Sequence, residues 1–363
     1  MSSVPASLSS LSAHAANANS KKAMLKLGVV ADVQHGLIPN KISHTGRVQH
    51  FRATRWRLEQ AVDEWLEVHQ TTGELHGVLN LGDSLEGDWD GGANQATKEL
   101  EAIATQFDRL QDAGVPVLHV AGNHCLRHLP GTLLAERLDF PPTRHQGVVH
   151  NGEYDDDLYY AYQTSDGFRV VALDTCELSG LPECAWPGYS LTHRDPQRAD
   201  ELREEAHAMC DRLRAEASAR NEPDPPQLCR WNGGVSKRQM SFLRQQLKES
   251  RKLNEKVLVM SHHPLKSGAA RESALCWNHH EVSACLDEFS DVVLGSVCGH
   301  DHHGGYVQSD TGVHFVTLEA MLEAESNAFG IMSIVPHSDD GDELALVIQG
   351  VGCMTNRYLT CFQ

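Results

Sequence analysis

Apolar, β-branched residues gather in short runs, and a polar block repeatedly ends the run. Leu27-Gly28-Val29-Val30-Ala31 leads into Asp32-Val33-Gln34, and Val78-Leu79-Asn80-Leu81 into Gly82-Asp83. Val115-Pro116-Val117-Leu118-His119-Val120 precedes Gly122-Asn123-His124, Val257-Leu258-Val259-Met260 precedes Ser261-His262-His263-Pro264, and Val292-Val293-Leu294-Gly295-Ser296-Val297 precedes Gly299-His300-Asp301-His302. Continuous apolar runs of this length predict buried strands. Phe168 to Leu173, ending at Asp174, reads the same way. Between the runs the period becomes helical: Leu58, Ala61, Val62 and Trp65 within 54–69, then Leu100, Ile103, Phe107 and Leu110 ahead of Gly114. Ser236 with Gln239 is a capping-box start for a third helix through Met240, Leu243 and Leu247. Strand, helix, strand, helix, strand predicts a layered α/β sheet with right-handed crossovers. After His302, stretches 313–318, 330–335 and 344–348 read as strands that complete a second sheet. The expected fold is therefore α/β, a two-sheet β-sandwich flanked by helices in four layers. Residues 24–363 are expected to form a single domain. Within it, 176–230 contrasts with its flanks through a charged helical piece near 200–220 followed by Pro223, Pro225 and Pro226, and predicts an insertion or cap.

Ligands collect beyond the carboxyl ends of such strands, and the five blocks place carboxylates, amides and imidazoles there. Read singly, each has an ordinary alternative: Asp83 would serve as a helix N-cap, Gln34 as a polar loop residue, and one histidine among 22 says little. As a set, they supply the side chains that hold two hard-to-borderline divalent ions a few ångströms apart.

The order Asp-x-Gln, Gly-Asp, Gly-Asn-His, His, Gly-His-x-His, spread from Asp32 to His302, resembles the calcineurin-like metallophosphoesterase superfamily. Most members carry histidine where Gln34 stands. An Asp-x-Gln first block is similar to the branch of manganese-dependent ADP-ribose/CDP-alcohol diphosphatases. So are Trp231-Asn232-Gly233-Gly234, Leu275-Cys276-Trp277-Asn278, Gly304-Gly305-Tyr306, Thr317-Leu318-Glu319 and Ala328-Phe329-Gly330. The resemblance implies one metal on Asp32, Gln34, Asp83 and His302, and a second on Asn123, His262 and His300, with Asp83 shared. In its Ser-His-x-Pro pattern His262 is the ligand and His263 the variable residue; Asp301 likewise falls in a variable slot, as a solvated acid. His124 is implied as the catalytic residue beside the reacting phosphoryl group, with Cys125 where an acidic residue is common. A neutral amide oxygen from Gln34 moves the preference toward two manganese ions, with magnesium as the other candidate. The implied reaction is hydrolysis of the phosphoanhydride of ADP-ribose, CDP-glycerol or CDP-choline by water activated between the metals. Its products are a nucleoside monophosphate and a phosphorylated sugar or alcohol. Trp277, Asn278 and Phe329 are the expected substrate-binding residues, an aromatic and an amide being able to hold a nucleobase, although an aromatic in an amphipathic segment is as readily core. The same centre would serve a cyclic nucleotide or another phosphodiester. A non-catalytic binding module on this fold would lack ligands or the equivalent of His124, and here every one of those positions is filled.

A formal charge of −18 over 363 residues excludes a surface for long polyanions, leaving a small nucleotide as the expected partner of a monomer. No apolar run approaches the ~20 residues of a membrane span. Ten cysteines without a Cys-x-x-Cys pair predict reduced thiols in a cytoplasmic protein. Residues 1–23, rich in Ser and Ala with Lys21 and Lys22 as the only basic residues, read as a disordered tail, an organelle transit peptide being the alternative. His35, His44 and His50 are expected at the surface.

Overall fold

The computed structural model describes residues 22–86, 92–127, 129–152, 157–164, 167–179, 195–337 and 343–361. Almost all of the expected tail at 1–23, and part of the expected cap, lie outside the described residues. Fifteen strands form among them: β1 (Leu25–Val30), β2 (Lys41–Ile42), β3 (Val48–Gln49), β4 (Gly77–Asn80), β5 (Val117–His119), β6 (Val148–Asn151), β7 (Tyr160–Gln163), β8 (Phe168–Ala172), β9 (Lys256–Met260), β10 (Val293–Cys298), β11 (His303–Gln308), β12 (His314–Glu319), β13 (Ala328–Pro336), β14 (Leu344–Gly352) and β15 (Arg357–Cys361). Six make one sheet in the order β15-β14-β13-β1-β4-β5, seven make another in the order β11-β12-β10-β9-β8-β7-β6, and β2 pairs with β3. In the first sheet β1, β4 and β5 run parallel. In the second, β8, β9, β10 and β12 do.

The last three sequence-predicted strands do not share a sheet. Stretch 313–318 becomes β12 beside β10, whereas 330–335 and 344–348 become β13 and β14 and extend the sheet of β1, with Leu27 opposite Met332. An apolar run states that a strand is buried but not which neighbour buries it.

Helices cover both outer faces. Among the described residues the α-helices are α1 (Thr54–Thr72), α2 (Gly92–Asp112), α3 (Gly131–Leu138), α4 (Pro196–Ala219), α5 (Lys237–Leu253) and α6 (His279–Glu288). Leu58 and Trp65 of α1 and Leu100 and Phe107 of α2 join a core that also takes in Val30 and Leu81 from the first sheet's side and Met260, Val297 and Leu318 from the second. Phe242, Leu243 and Leu247 of α5, with Val282 and Leu286 of α6, pack on the other side of the second sheet against Val257, Val259 and Phe315. The result is helix, sheet, sheet, helix. Ser236 caps α5 by accepting from the Gln239 amide at 3.2 Å. Gln239 does not close the box; its side chain instead grips Asp174 beyond β8, donating to the carbonyl at 3.0 Å and accepting from the amide at 2.8 Å. Within the expected cap, α4 buries Leu202, Ala206, Met209, Cys210 and Leu213 against Leu178 and Trp277. Among the described residues no helix is long and apolar enough to cross a membrane.

At Gly28, in the middle of β1, an added Cβ would stand 2.8 Å from Trp65 Cε2. Trp65 is fully buried and its Nε1–H donates to the Gly330 carbonyl at 3.0 Å, so the ring has nowhere to yield. Gly28→Ala is therefore expected to lower stability by about 1–3 kcal/mol, the range for overpacking a filled core. Urea unfolding checks this; an unchanged midpoint would mean that the ring shifts freely.

Candidate metal centre

Every block meets at one place, because the parallel strands of both sheets end there. Asp32 and Gln34 follow β1, Asp83 follows β4, and Asn123 and His124 follow β5; from the other sheet His262 follows β9, and His300 and His302 follow β10. Backbone hydrogen bonds lace the loops together: the Gln34 amide donates to the Asp83 carbonyl at 2.7 Å, Gly299 to His262 at 3.1 Å, and Leu322 to Asp32 at 3.0 Å. Asp32, Gln34, Asp83 and His300 all have positive φ, between 41° and 67°. That conformation costs a side-chain-bearing residue about 1–3 kcal/mol and persists only where its surroundings impose it. The glycines beside them are equally constrained, since a Cβ on Gly122 would land on the Asp83 carboxylate and one on Gly299 on that of Asp32.

Polar atoms crowd together in the interior. His262 Nε2 lies 3.0 Å from Asn123 Oδ1, 3.2 Å from Asp83 Oδ2 and 3.2 Å from His300 Nδ1. Gln34 Nε2 lies 3.2 Å from Asp83 Oδ2 and 3.3 Å from His302 Nε2, and His302 Nε2 is 3.6 Å from Asp32 Oδ1. Asp32 Oδ1 and Gln34 Oε1 are buried without a hydrogen-bond partner. Ligand atoms of Asp32, Asp83 and His262 lie within 4.8 Å of one another, as do those of His262, His263 and His300. Each remaining nitrogen of the three inward imidazoles is engaged elsewhere: His262 Nδ1 with the Leu81 carbonyl at 2.8 Å, His300 Nε2 with Asn232 Oδ1 at 2.8 Å, and His302 Nδ1 with Glu323 at 2.9 Å. Such outer partners fix the tautomer of a metal-binding imidazole. Both nitrogens of His263, though one lies near those of His262 and His300, are occupied, by Thr175 Oγ1 at 2.8 Å and the Trp231 carbonyl at 3.1 Å.

Electrostatics divides the two aspartates. Burial lifts the Asp32 carboxyl to about 6 against the pull of the His302 and His262 imidazoles. Burial acts on Asp83 too, but His262, His124 and their hydrogen bonds outweigh it and hold it below the usual carboxylate range. His300 is pushed well below its ordinary value by desolvation and by its neighbours His263 and His262. That keeps the ring neutral with a lone pair to give. Desolvation opposes charge on His124 as well, yet Glu86, 3.4 Å away, and Asp83 prevail and raise it to about 9.

The centre opens into a cavity of about 250 Å³, lined among others by Asp83, Asn123, His124, His300, His302, Trp231 and Arg271. The three expected substrate residues are not there. Trp277 is fully buried beneath α4. Asn278 is spent on the Val235 backbone, accepting at 3.0 Å and donating at 2.9 Å. Phe329 points into the first sheet's core, edge-on to Trp65 at 5.7 Å between centroids. Asp301 is no solvated acid either; it is buried and holds Arg271. His35 is buried and bonded to the Phe51 carbonyl at 3.2 Å, whereas His44 is exposed at the cavity mouth. Sequence reasoning missed Glu86, Asn232, Arg271 and Glu323 as site residues; of these, only Asn232 sat in a quoted motif.

Glu323 carries the orientation of His302, so Glu323→Ala is expected to weaken manganese binding about 10- to 100-fold. Calorimetric titration of the metal-free protein measures it, and an unchanged affinity would remove Glu323 from the account.

Comparison with known proteins identifies the family. No protein-family profile matches the chain. A manganese-dependent ADP-ribose/CDP-alcohol diphosphatase of Oryza sativa subsp. japonica is 30% identical over 338 residues, covering 91% of this chain and 93% of the relative. Relatives of the same name from Arabidopsis thaliana and Homo sapiens are each 30% identical, covering 85% and 94% of this chain and 90% and 94% of their own. The crystal structure of a dimetal phosphatase from Danio rerio superposes with a TM-score of 0.75 at 24% identity, over 94% of this chain and 100% of that one, and shares the fold. With relatives of one name matched nearly end to end, the chain belongs to the manganese-dependent ADP-ribose/CDP-alcohol diphosphatase family of hydrolases.

Proposed function

We propose that the protein hydrolyses the phosphoanhydride of small nucleoside diphosphate-linked compounds, ADP-ribose and CDP-alcohols such as CDP-glycerol and CDP-choline, with two manganese ions as cofactors. The observation that carries this is the inward crowding of lone pairs: His262 Nε2, His300 Nδ1, Asn123 Oδ1 and Asp83 Oδ2 face one another, with Asp32 Oδ1 and Gln34 Oε1 buried and unpaired beside them. Cations satisfy such a set, and its mix of oxygen and imidazole donors suits manganese, with magnesium second. Asp32, Gln34, Asp83 and His302 would hold one ion, and Asn123, His262 and His300 the other with Asp83 shared. Half a turn of the Gln34 amide brings Oε1 to the side of Asp83 and His302. Such an ion pair supplies an activated water and neutralises charge on the phosphoryl oxygens.

The remaining side chains orient and accept. The backbone amides of His124 and His300 fix the two carboxylates, donating to Asp83 Oδ1 at 2.8 Å and Asp32 Oδ2 at 2.9 Å. His124 lines the cavity as the hydrogen-bond donor and proton source for the reacting phosphoryl group. Trp231, 41% exposed on the cavity wall, is the stacking surface for the base that Trp277 does not supply. The strongly negative charge suits free nucleotides rather than nucleic acid, with 24–363 working as one domain and a monomer. Buried Cys125, Cys285 and Cys298 suit the reducing cytoplasm.

Product analysis with manganese tests the activity. ADP-ribose and CDP-choline are expected to yield AMP and CMP faster than a cyclic nucleotide yields its monophosphate, and Asp83→Ala to lose all three activities. Preferential cleavage of the cyclic nucleotide would replace the phosphoanhydride with a phosphodiester as the substrate.

Trp231→Ala separates the base site from the centre. The Michaelis constant should rise for ADP-ribose and CDP-choline, in line with a stacking contact of ~1–3 kcal/mol, and stay level for a base-free aryl phosphate. A parallel rise on all substrates would return Trp231 to a purely structural part.

A further inference from the structure

Among the described residues lining the central cavity, Arg271 is the one lysine or arginine. It sits on the segment that follows His262 and is held from two sides. Asp301, between His300 and His302, is 1% exposed and takes the guanidinium as a fork: Nε at 3.0 and 3.1 Å, a terminal nitrogen at 2.8 Å, and the Arg271 backbone amide at 2.7 Å. Opposite, the other terminal nitrogen donates to His44 Nε2 at 2.7 Å, on the β2–β3 hairpin. The Arg271 side chain stays 42% exposed. A guanidinium has five N–H bonds; Nε and one on each terminal nitrogen serve Asp301 and His44, which leaves one N–H on each terminal nitrogen. Two N–H groups on one planar fork match two oxygens of a phosphate.

We propose that Arg271 binds the second phosphate of the substrate, the one that departs with the leaving group, and thereby favours diphosphates over simple phosphodiesters. This rests on the phosphoanhydride reading above. In that reaction water adds to one phosphorus, the bond from that phosphorus to the bridging oxygen breaks, and the bonding electron pair stays on the bridging oxygen. The departing phosphate gains a negative charge, which a hydrogen bond or proton from His124 can neutralise, while the water's proton passes to solvent. The candidate metal ligands would surround the attacked phosphate, and Arg271 is the one guanidinium or ammonium that the described wall offers to the second. A fixed cation at the rim meets the charge where it grows, and its anchoring on buried Asp301 means that little side-chain freedom is lost on binding. A cyclic or aryl phosphodiester has no second phosphate to present. Asp301 acts here as a positioning residue.

Arg271→Gln, compared with wild type in manganese, tests this on CDP-choline and on bis(4-nitrophenyl) phosphate. The ratio of kcat/KM for the diphosphate to that for the diester should fall roughly 10- to 100-fold, the scale of hydrogen bonds to a charged group. Arg271→Lys should recover part of it, retaining the charge without the fork. An equal loss on both substrates, at unchanged manganese affinity, would overturn the proposal and make Arg271 a tie between loops. If wild type cleaves no diphosphate, the phosphoanhydride reading fails by itself. Calorimetric binding of α,β-methylene-ADP and AMP then still judges Arg271: it stands if Arg271→Gln weakens the former selectively, and falls if both weaken alike.

Discussion

Burying several lone-pair donors against one another is the constraint on which this architecture turns. Asp32, Asp83, Asn123, His262 and His300 are at most partly open to water and point at a common centre, a costly arrangement for a fold to hold without a cation. The split between Asp32, lifted to about 6, and Asp83, driven down, expresses that cost. Two carboxylates near two imidazoles compete for limited positive charge, and the one with backbone and imidazole donors on both oxygens wins it. Divalent ions remove the competition.

Much of the backbone follows from holding these donors still. Among the described residues with positive φ other than glycine, four of the seven are candidate ligands. The turns after β1, β4 and β10 are therefore bent toward the centre rather than along the path of least strain. Two sheets are needed because parallel strands deliver loops at only one end: β1, β4 and β5 bring the carboxylates and the amides of Gln34 and Asn123, while β9 and β10 bring the imidazoles. The core between the sheets, from Val30 and Leu81 to Met260 and Val297, sets the distance between the two halves of the site. Packing there is thus also a statement about metal geometry.

The centre was legible in the chain because chemistry and topology coincide: a polar block after a buried strand carries both a residue type and an address. Helices read well for a similar reason, their apolar faces being written in their period. What depends on tertiary direction was not legible. Trp277-Asn278 looked like a base-binding pair, yet the ring lies under α4 and the amide substitutes for a strand partner at Val235. Phe329 points from β13 into the core against Trp65, a direction that nothing local in the sequence sets. Glu323 and Glu86 carried no motif, because an outer partner is defined by where a neighbouring imidazole points and by nothing local. Sheet membership of 313–318 and 330–335 failed likewise, since both are apolar runs, yet one pairs with nearby β10 and the other with β1, some three hundred residues away.

The last block shows how one short turn serves two environments. In Gly299-His300-Asp301-His302 the histidines turn inward and the aspartate turns to the rim, where it grips Arg271. The variable position of the pattern is variable in metal chemistry alone; in this chain it couples the rigidity of the centre to a cation at the mouth. His300 cannot change its left-handed backbone without carrying Asp301, and with it the guanidinium, to a new place. The site that polarises one phosphate and the side chain facing the next are therefore registered by a single peptide segment, which no pair of independent loops would achieve with the same precision.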